Sequence, residues 1–470
     1  MGVWELIARG LDRISFGIVD TVVFIIDHIK PGWSAKNKTK VDEWKLMFYA
    51  FNRSPLGVLG LFLIIIFLLM GIFGPMIAPY KYNEYPAQFL GDLKNSQPGA
   101  HGFILGTEIY GRDLFSMLLY GARMSLILTV LTIALSAPIG VTLGLISGYY
   151  GGKIDELIMR ITDIFYAFPG LVLAIALAAV LPERLRDIVL TNDLLKKFLL
   201  VLFAGAERDA GNIAPFVSVI LALVVVGWPG YTRLVRGVVL SVKENVYVEA
   251  ARALGVSNFS IIRKHILPNV ASIILVVLTF DLGGIVILGA ALSFLGVGAQ
   301  DPFTDWGKLV YVGSRFFPNY YWLVLYPGLT LFIVGLGWTF FGDAIRDVLD
   351  PQTRRRIEFG VKEEVSKLDI LPSIGVIGIF LTLIWTGFDA WDVLVPLTLV
   401  VYLMLSGIMY KVLEIIVNNI DLRYKPICLV SVIPVLWSAF KVHLVGGLIL
   451  SGLLVLTYIP SILKAGGGSQ

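Results

Sequence analysis

The chain has 470 residues, of which 57% are hydrophobic and 15% charged, and a mean hydropathy of +0.82. A soluble domain carries about a quarter charged residues, so a single water-soluble core is excluded and the sequence reads as an all-α polytopic membrane protein. The net charge is only +4, a lone cysteine (Cys428) leaves no disulfide framework, and His28, His101, His265 and His443 show no metal-ligand spacing.

In chain order, the first predicted element is a helix over residues 3–29. Trp4, Ile7, Leu11, Ile14, Ile18, Val22 and Ile25 recur at helical spacing, opposite Glu5, Arg9, Asp12 and Arg13. That pattern describes an amphipathic helix lying on the membrane or on a partner; a poorly ordered leader is the alternative. Residues 14–26 lack a small-residue cleavage site, so no cleavable signal peptide is expected. Six spans follow at 55–79, 117–149, 154–181, 213–235, 270–295 and 322–345. Four weaker ones are predicted at 371–388, 393–411, 426–440 and 443–463, the third interrupted by Pro434. The domain reading is an N-terminal region over 1–50, a six-helix core over 51–356, and a membrane extension over 357–465. The closing GGGSQ, 466–470, reads as an appended linker.

Orientation follows from the Lys/Arg bias of the connections. With the N-terminus in the cytoplasm, the inner segments 36–53, 149–160, 231–266 and 341–368 carry 19 Lys/Arg. The outer segments 80–118, 182–212 and 296–321 carry 10 over a similar length. Residues 80–116 and 182–212 are long and polar, and connections of that length either dock a partner, carry helices of their own or simply connect.

Within the spans, Gly140, Gly144 and Gly148 form G-x-x-x-G-x-x-x-G along one face of the second, where a neighbouring helix can approach closely. Gly283, Gly284 and Gly289 predict the same for the fifth. Pro169 is expected to kink the third span and Pro229 the fourth, serving helix packing or a gate. Charged groups in spans are costly and tend to face a pathway or a partner. Asp281, about eleven residues into the fifth span, either lines a pathway or bonds a neighbouring helix. Asp163, nearer the cytoplasmic end of the third, leans to a structural role, and with Asp281 and Pro169 it stays among the pathway candidates.

Residues 241–268 read as two short, soluble helices. Ser241 and Glu244 form S-x-x-E, a capping box. Tyr247, Ala250, Ala251 and Leu254 share one face, and Glu249 with Arg252 makes a local ion pair plausible. Gly255 supplies a left-handed C-cap, Ser257 caps the second helix, and Pro268 stops it from continuing. A small-residue face of this kind suits a groove on another protein. Tethered to a membrane, it would be a poor reader of DNA, so no nucleic-acid partner is expected.

Here the sequence resembles a known family. Glu249, Ala250, Ala251, Gly255, His265, Leu267 and Pro268 match E-A-A-x(3)-G-x(9)-H-x-L-P, which is similar to the signature of ATP-binding-cassette importer permeases. LGTEIYGRDLFSMLLYGARMSL (105–126), GYYGGKIDELIMRITDIFYAFPG (148–170), LSFLGVG (292–298) and GDAIRDVLDP (342–351) resemble the dipeptide/oligopeptide permease C family. The resemblance covers roughly residues 50–356. It implies a type I importer transmembrane domain of six helices, paired with a homologous second permease. Two ATP-binding subunits would engage the 241–268 loop, and an extracellular solute-binding protein would deliver peptides or oligosaccharides. With no G-x-x-x-x-G-K-[ST] in the chain, ATP and Mg are expected on the partner subunits, with no cofactor, catalytic residue or metal site here. The departure from the family is the extension 357–465, with about four extra helices. A self-sufficient ion-coupled transporter or channel is the competing reading; it would want inverted repeats with paired intramembrane acids. A membrane-embedded enzyme lacks a nucleophile–base constellation.

Overall fold

A computed structural model describes residues 3–87 and 94–349. The four weaker spans and the 466–470 linker lie outside the described residues. On the N-terminal side are α1 (Val3–Ile29), α2 (Trp33–Lys36) and α3 (Lys38–Asn52), followed by α4 (Pro55–Ile77) and α5 (Leu114–Tyr150). Next come α6 (Gly152–Tyr166), α7 (Gly170–Thr191), α8 (Asp193–Phe203), α9 (Ala214–Val242) and α10 (Val246–Ala253). The single turn α11 (Asn258–Ile261) leads through a π turn into α12 (Leu267–Phe294), then α13 (Trp306–Ser314) and α14 (Trp322–Leu349). Among the described residues, five helices are long and apolar enough to cross a membrane, and α6 with α7 makes a sixth if that bent pair is one span. With that pair taken as one span, all six expected core spans have a helical counterpart, the third and fourth running past their expected ends.

Four local expectations are corrected. The third span is broken rather than kinked: α6 and α7 meet at 81° across residues 167–169, with Pro169 at the N-cap of α7, where its ring opposes a continuing helix. The fourth runs without a break through Pro229 and two turns past the expected end, to Val242. Val235 and Val239 are fully buried against α5, and that packing holds Ser241 inside the helix, so its capping box does not form. The long polar connection over 182–212 carries helices of its own, one of the alternatives open to it, and what is corrected is the end of the third span. α7 continues through Pro182 because Ala174, Ala178 and Val189 are buried, and Asn192 caps α8 by accepting the Leu195 N–H at 3.0 Å. Asp12, placed by the sequence on the open polar face of α1, is instead buried against α3.

The core is organised on α5. A Cβ added at Gly144 would lie 2.7 Å from the Val235 Cβ, and one at Gly148 equally close to Val239; at Gly140 it would meet Tyr231 at 2.6 Å. The three glycines thus set the close approach of α5 and α9, where dispersion replaces the hydrophobic drive that lipid cannot supply. Gly283 and Gly289 likewise admit Trp338 and Leu128, but Gly284 has nothing within 4 Å and is no packing position.

The end of the bundle away from α10 is closed by polar contacts. The Arg112 Nε donates to Glu108 at 3.0 Å, both side chains almost fully buried, while Asp301 pairs with Lys308 at 3.0 Å and with Arg112 at 3.4 Å. Asp305 caps α13 by accepting the Lys308 N–H and takes the Ser293 hydroxyl at 2.8 Å. Trp306, wholly buried, donates to the Leu118 carbonyl at 2.9 Å and fills the space left by Gly121. Tyr82 donates to Asp209 at 2.6 Å and accepts the Ala206 N–H at 2.7 Å. Burial, with the Asp209 carboxylate, pushes its hydroxyl up to about 12.

Candidate functional site

Residues 243–268 stand at the other end, beyond the last turns of α5 and α9. α10 begins after Asn245, which occupies the N-cap position without a side-chain cap, and ends in a Schellman turn. Gly255 has φ +74°, its N–H donates to the Arg252 carbonyl at 3.0 Å, and the Val256 N–H reaches the Ala251 carbonyl at 3.1 Å. Val256 packs against the same cluster as Ala251, the apolar contact that accompanies this motif. The sequence placed Gly255 correctly.

The second short helix differs from expectation. Ser257 is at the N-cap position, yet its side chain makes no cap bond, and α11 is one turn long. Pro268 does not end it. Residues 262–266 widen into a π turn, Pro268 enters the first turn of α12, and the chain runs from Asn258 to Phe294 as one candidate span. A first-turn position needs no N–H from proline, and the widened turn separates it from the helix before.

Burial divides the loop in two. Val248, Ile261, Ile266 and Val270 are wholly buried and Ala251 nearly so, in one cluster with Leu145, Tyr149, Val235 and Val239 of α5 and α9. The Tyr149 hydroxyl donates to the Asn258 Oδ1 at 2.8 Å, and the Arg252 guanidinium lies 5.8 Å from the Tyr149 ring. The expected Glu249–Arg252 pair is absent among the described ion pairs, because Arg252 is turned to that ring. On the outer side, Val246 is 80%, Leu254 83% and Phe259 72% exposed, with Tyr247 beside them. Ala250 is also exposed, whereas Ala251 faces inward, so the expected common face of Tyr247, Ala250, Ala251 and Leu254 is split. Tyr247 and His265 bring their rings to 6.4 Å. Glu249, Arg263 and Lys264 are exposed around this apolar group.

The arrangement is a rigid base carrying large apolar side chains into solvent. It holds no cluster of nucleophile and base. Among the described residues no group of His, Cys, Asp and Glu could hold a metal ion. What the geometry can do is enter a groove on another protein. Sequence reasoning missed Val246 and Phe259 as outward anchors and Val248 as an inward one. Val248 and Ala251, three apart, carry the face signal that Tyr247 and Ala250 were given.

The intramembrane candidates are apart from this loop. Asp163 pairs with Arg233 at 2.5 Å, and Arg233 in turn covers the Tyr166 ring at 3.9 Å, which agrees with a structural role. Asp281 is half-buried on α12 and faces the Tyr231 hydroxyl of α9, which closes no bond of full hydrogen-bond geometry.

Comparison with known proteins adds two family matches and three relatives. Residues 140–355 match the family described as binding-protein-dependent transport system inner membrane component. Residues 43–98 match the N-terminal TM domain of oligopeptide transport permease C. The chain is 36% identical to a dipeptide transport system permease protein of Alkalihalophilus pseudofirmus over 67% of its own length and 92% of the relative's. It is 32% identical to an oligopeptide transport system permease protein of Bacillus subtilis (68% and 93%). It is 30% identical to a glutathione transport system permease protein of Pectobacterium atrosepticum (68% and 94%).

Proposed function

The chain belongs to the dipeptide/oligopeptide permease C family of binding-protein-dependent ABC importers, and on that premise we propose that it forms half of a peptide translocation pathway driven through residues 246–261. The observation that carries the reading is the exposure of Val246, Leu254 and Phe259 on a fully packed base. A water-facing apolar group on so firm a support transmits force to α5, α9 and α12 once a partner covers it. That partner is a separate ATP-binding subunit, one of two, and ATP with Mg acts there. Tyr247, Glu249, Ala250, Leu254 and Gly255 form or shape the docking surface, Ala251 supports it from within, His265 stands beside the Tyr247 ring, and Pro268 is exposed at the start of α12.

The membrane orientation supported by Lys/Arg bias puts α1 and this loop in the cytoplasm of a plasma-membrane protein. A homologous second permease completes the pathway. An extracellular solute-binding protein delivers substrate at the opposite end, where a shallow depression of about 720 Å³ is lined by Lys81, Tyr82, Asn83, Glu84 and Arg208. The relatives' names point to peptides as the substrate class. Asp281 and, in the third span, Pro169 are the pathway candidates; for Asp163 the pair with Arg233 supports the structural reading.

Leu254→Asp and Phe259→Asp test the reading in the complex reconstituted with its ATPase subunits. Each puts a charge into the covered centre of an interface, so ATPase-subunit affinity should fall by about 30-fold or more, the loss of a hot spot worth about 2 kcal/mol. Thermal stability of the permease should hold. Undiminished ATPase binding and stimulation in both variants would sink the docking role.

A further inference from the structure

We propose that α1 is a lipid-surface anchor: its apolar side rests in the headgroup–acyl boundary of an anionic bilayer, beside the start of α4. The helix has three sides. Ala8, Asp12, Ser15 and Val19 form a buried line against α3. There the Asn52 side-chain amide donates to Asp12 at 2.9 Å and to the Ser15 hydroxyl at 3.1 Å. Arg53 pairs with Asp12 at 3.1 Å, and Lys45 with Asp20 at 2.6 Å. At about 100° per residue, Ile7, Ile14, Ile18, Val22, Ile25 and Ile29 form a second line about 90° round the helix, each between 41% and 71% exposed. Arg13, Asp20 and Asp27 lie on the third side, about 150° from the apolar line, and Asp20 is the one of them that Lys45 of α3 reaches.

That division decides the occupant. The polar bonds that a surface helix would normally offer to water are spent on α3, and they fix which way the helix is rolled. The apolar line is left uncovered, flanking the contact with α3. Its depth is set by Asn52, three residues before α4 enters the membrane at Pro55. Asp12, in direct contact with Asn52, therefore holds the middle of α1 level with the bilayer boundary. α4 also carries exposed apolar side chains, among them Phe62, Ile65 and Leu69, as a helix in lipid does. The segment leaving α1 carries Lys30, Lys36, Lys38 and Lys40, which anionic headgroups attract. With Asp12, Arg13, Asp20 and Asp27 along its length, α1 is not among the helices able to cross. Lying in the surface is the arrangement that satisfies all three sides.

The test uses the full chain with its single cysteine replaced (Cys428→Ser) and new single cysteines at Ile14, Ile18, Val22 and, for contrast, Arg13. Each is spin-labelled and reconstituted in vesicles of phosphatidylethanolamine and phosphatidylglycerol, and its collisions with oxygen and with a water-soluble nickel chelate are measured. Labels at 14, 18 and 22 should collide with oxygen and be shielded from nickel, and the label at 13 should show the reverse. Three positions on one face keep the test open if one variant misfolds. Nickel access at 14, 18 and 22 would overturn the proposal in favour of a water-facing helix. Exclusion of both reagents would overturn it in favour of a protein cover, whether residues 357–465 or another protein of the complex. The readout needs no ATPase, so it stands or falls separately from the docking loop.

Discussion

At the end away from α10, Glu108, Arg112, Asp301 and Lys308 pair with one another, one Glu108 oxygen excepted, and Asp305 and Trp306 are buried with their bonds made. At the α10 end the base is as tightly packed, yet Val246, Leu254 and Phe259 stand in water. The first region completes itself, so each of its members is needed for stability. Under the proposed docking role, the second is complete only when a partner covers it, so its outward members should matter for assembly while its inward ones hold the shape. α1 repeats that second pattern, with polar groups bonded inward and isoleucines left outside.

The contrast can be broken most directly at Arg112. Arg112→Ala strands the buried Glu108 carboxylate, one of whose oxygens already has no partner. Losing one member of a buried pair costs about 3–5 kcal/mol, a large drop in thermal unfolding temperature of the purified protein. A shift within error would show that the self-completing region is no such thing. Gly144→Leu tests the packing that both ends share. Its side chain would be driven into Val235, and overpacking costs about 1–3 kcal/mol, read in the same melt together with weaker protease resistance of α9. Tyr149→Phe sharpens the picture of the α10 base. It removes the bond to Asn258, worth about 1 kcal/mol, and amides of residues 246–261 should exchange faster while the rest of the bundle is unchanged. The smallest effect is expected at Asp163→Asn. Both partners of the Arg233 pair are substantially exposed, and such pairs contribute about 0–1 kcal/mol, so stability should barely move; clear loss of transport with an unchanged melt would return Asp163 to the pathway.

Much of the fold was legible in the residues alone. Long apolar runs located the spans, because a bilayer demands about twenty such residues in a row. Gly140, Gly144 and Gly148 announced a close helix contact, and Gly255 a left-handed turn, because only glycine meets those conditions cheaply. The candidate site was legible as a place and less so in its parts. Ser241 carries a capping signature, yet burial of Val235 and Val239 extends the helix past it. Pro268 reads as a stop, yet a π turn carries the chain around it. Local signals lost wherever a neighbouring helix offered more buried area than a cap or a stop is worth.

By itself, the sequence determined that this is a multi-span helical membrane protein with a short folded loop at one end, since hydropathy, glycine spacing and turn chemistry act over a few residues. Only the tertiary structure decided which side chains of that loop turn inward and which are left for a partner, that Arg252 leaves Glu249 for Tyr149, and that Asp12 rolls α1 so its isoleucines face out. Those choices depend on which surfaces α3, α5 and α9 present, and no local pattern encodes the face a distant helix will cover.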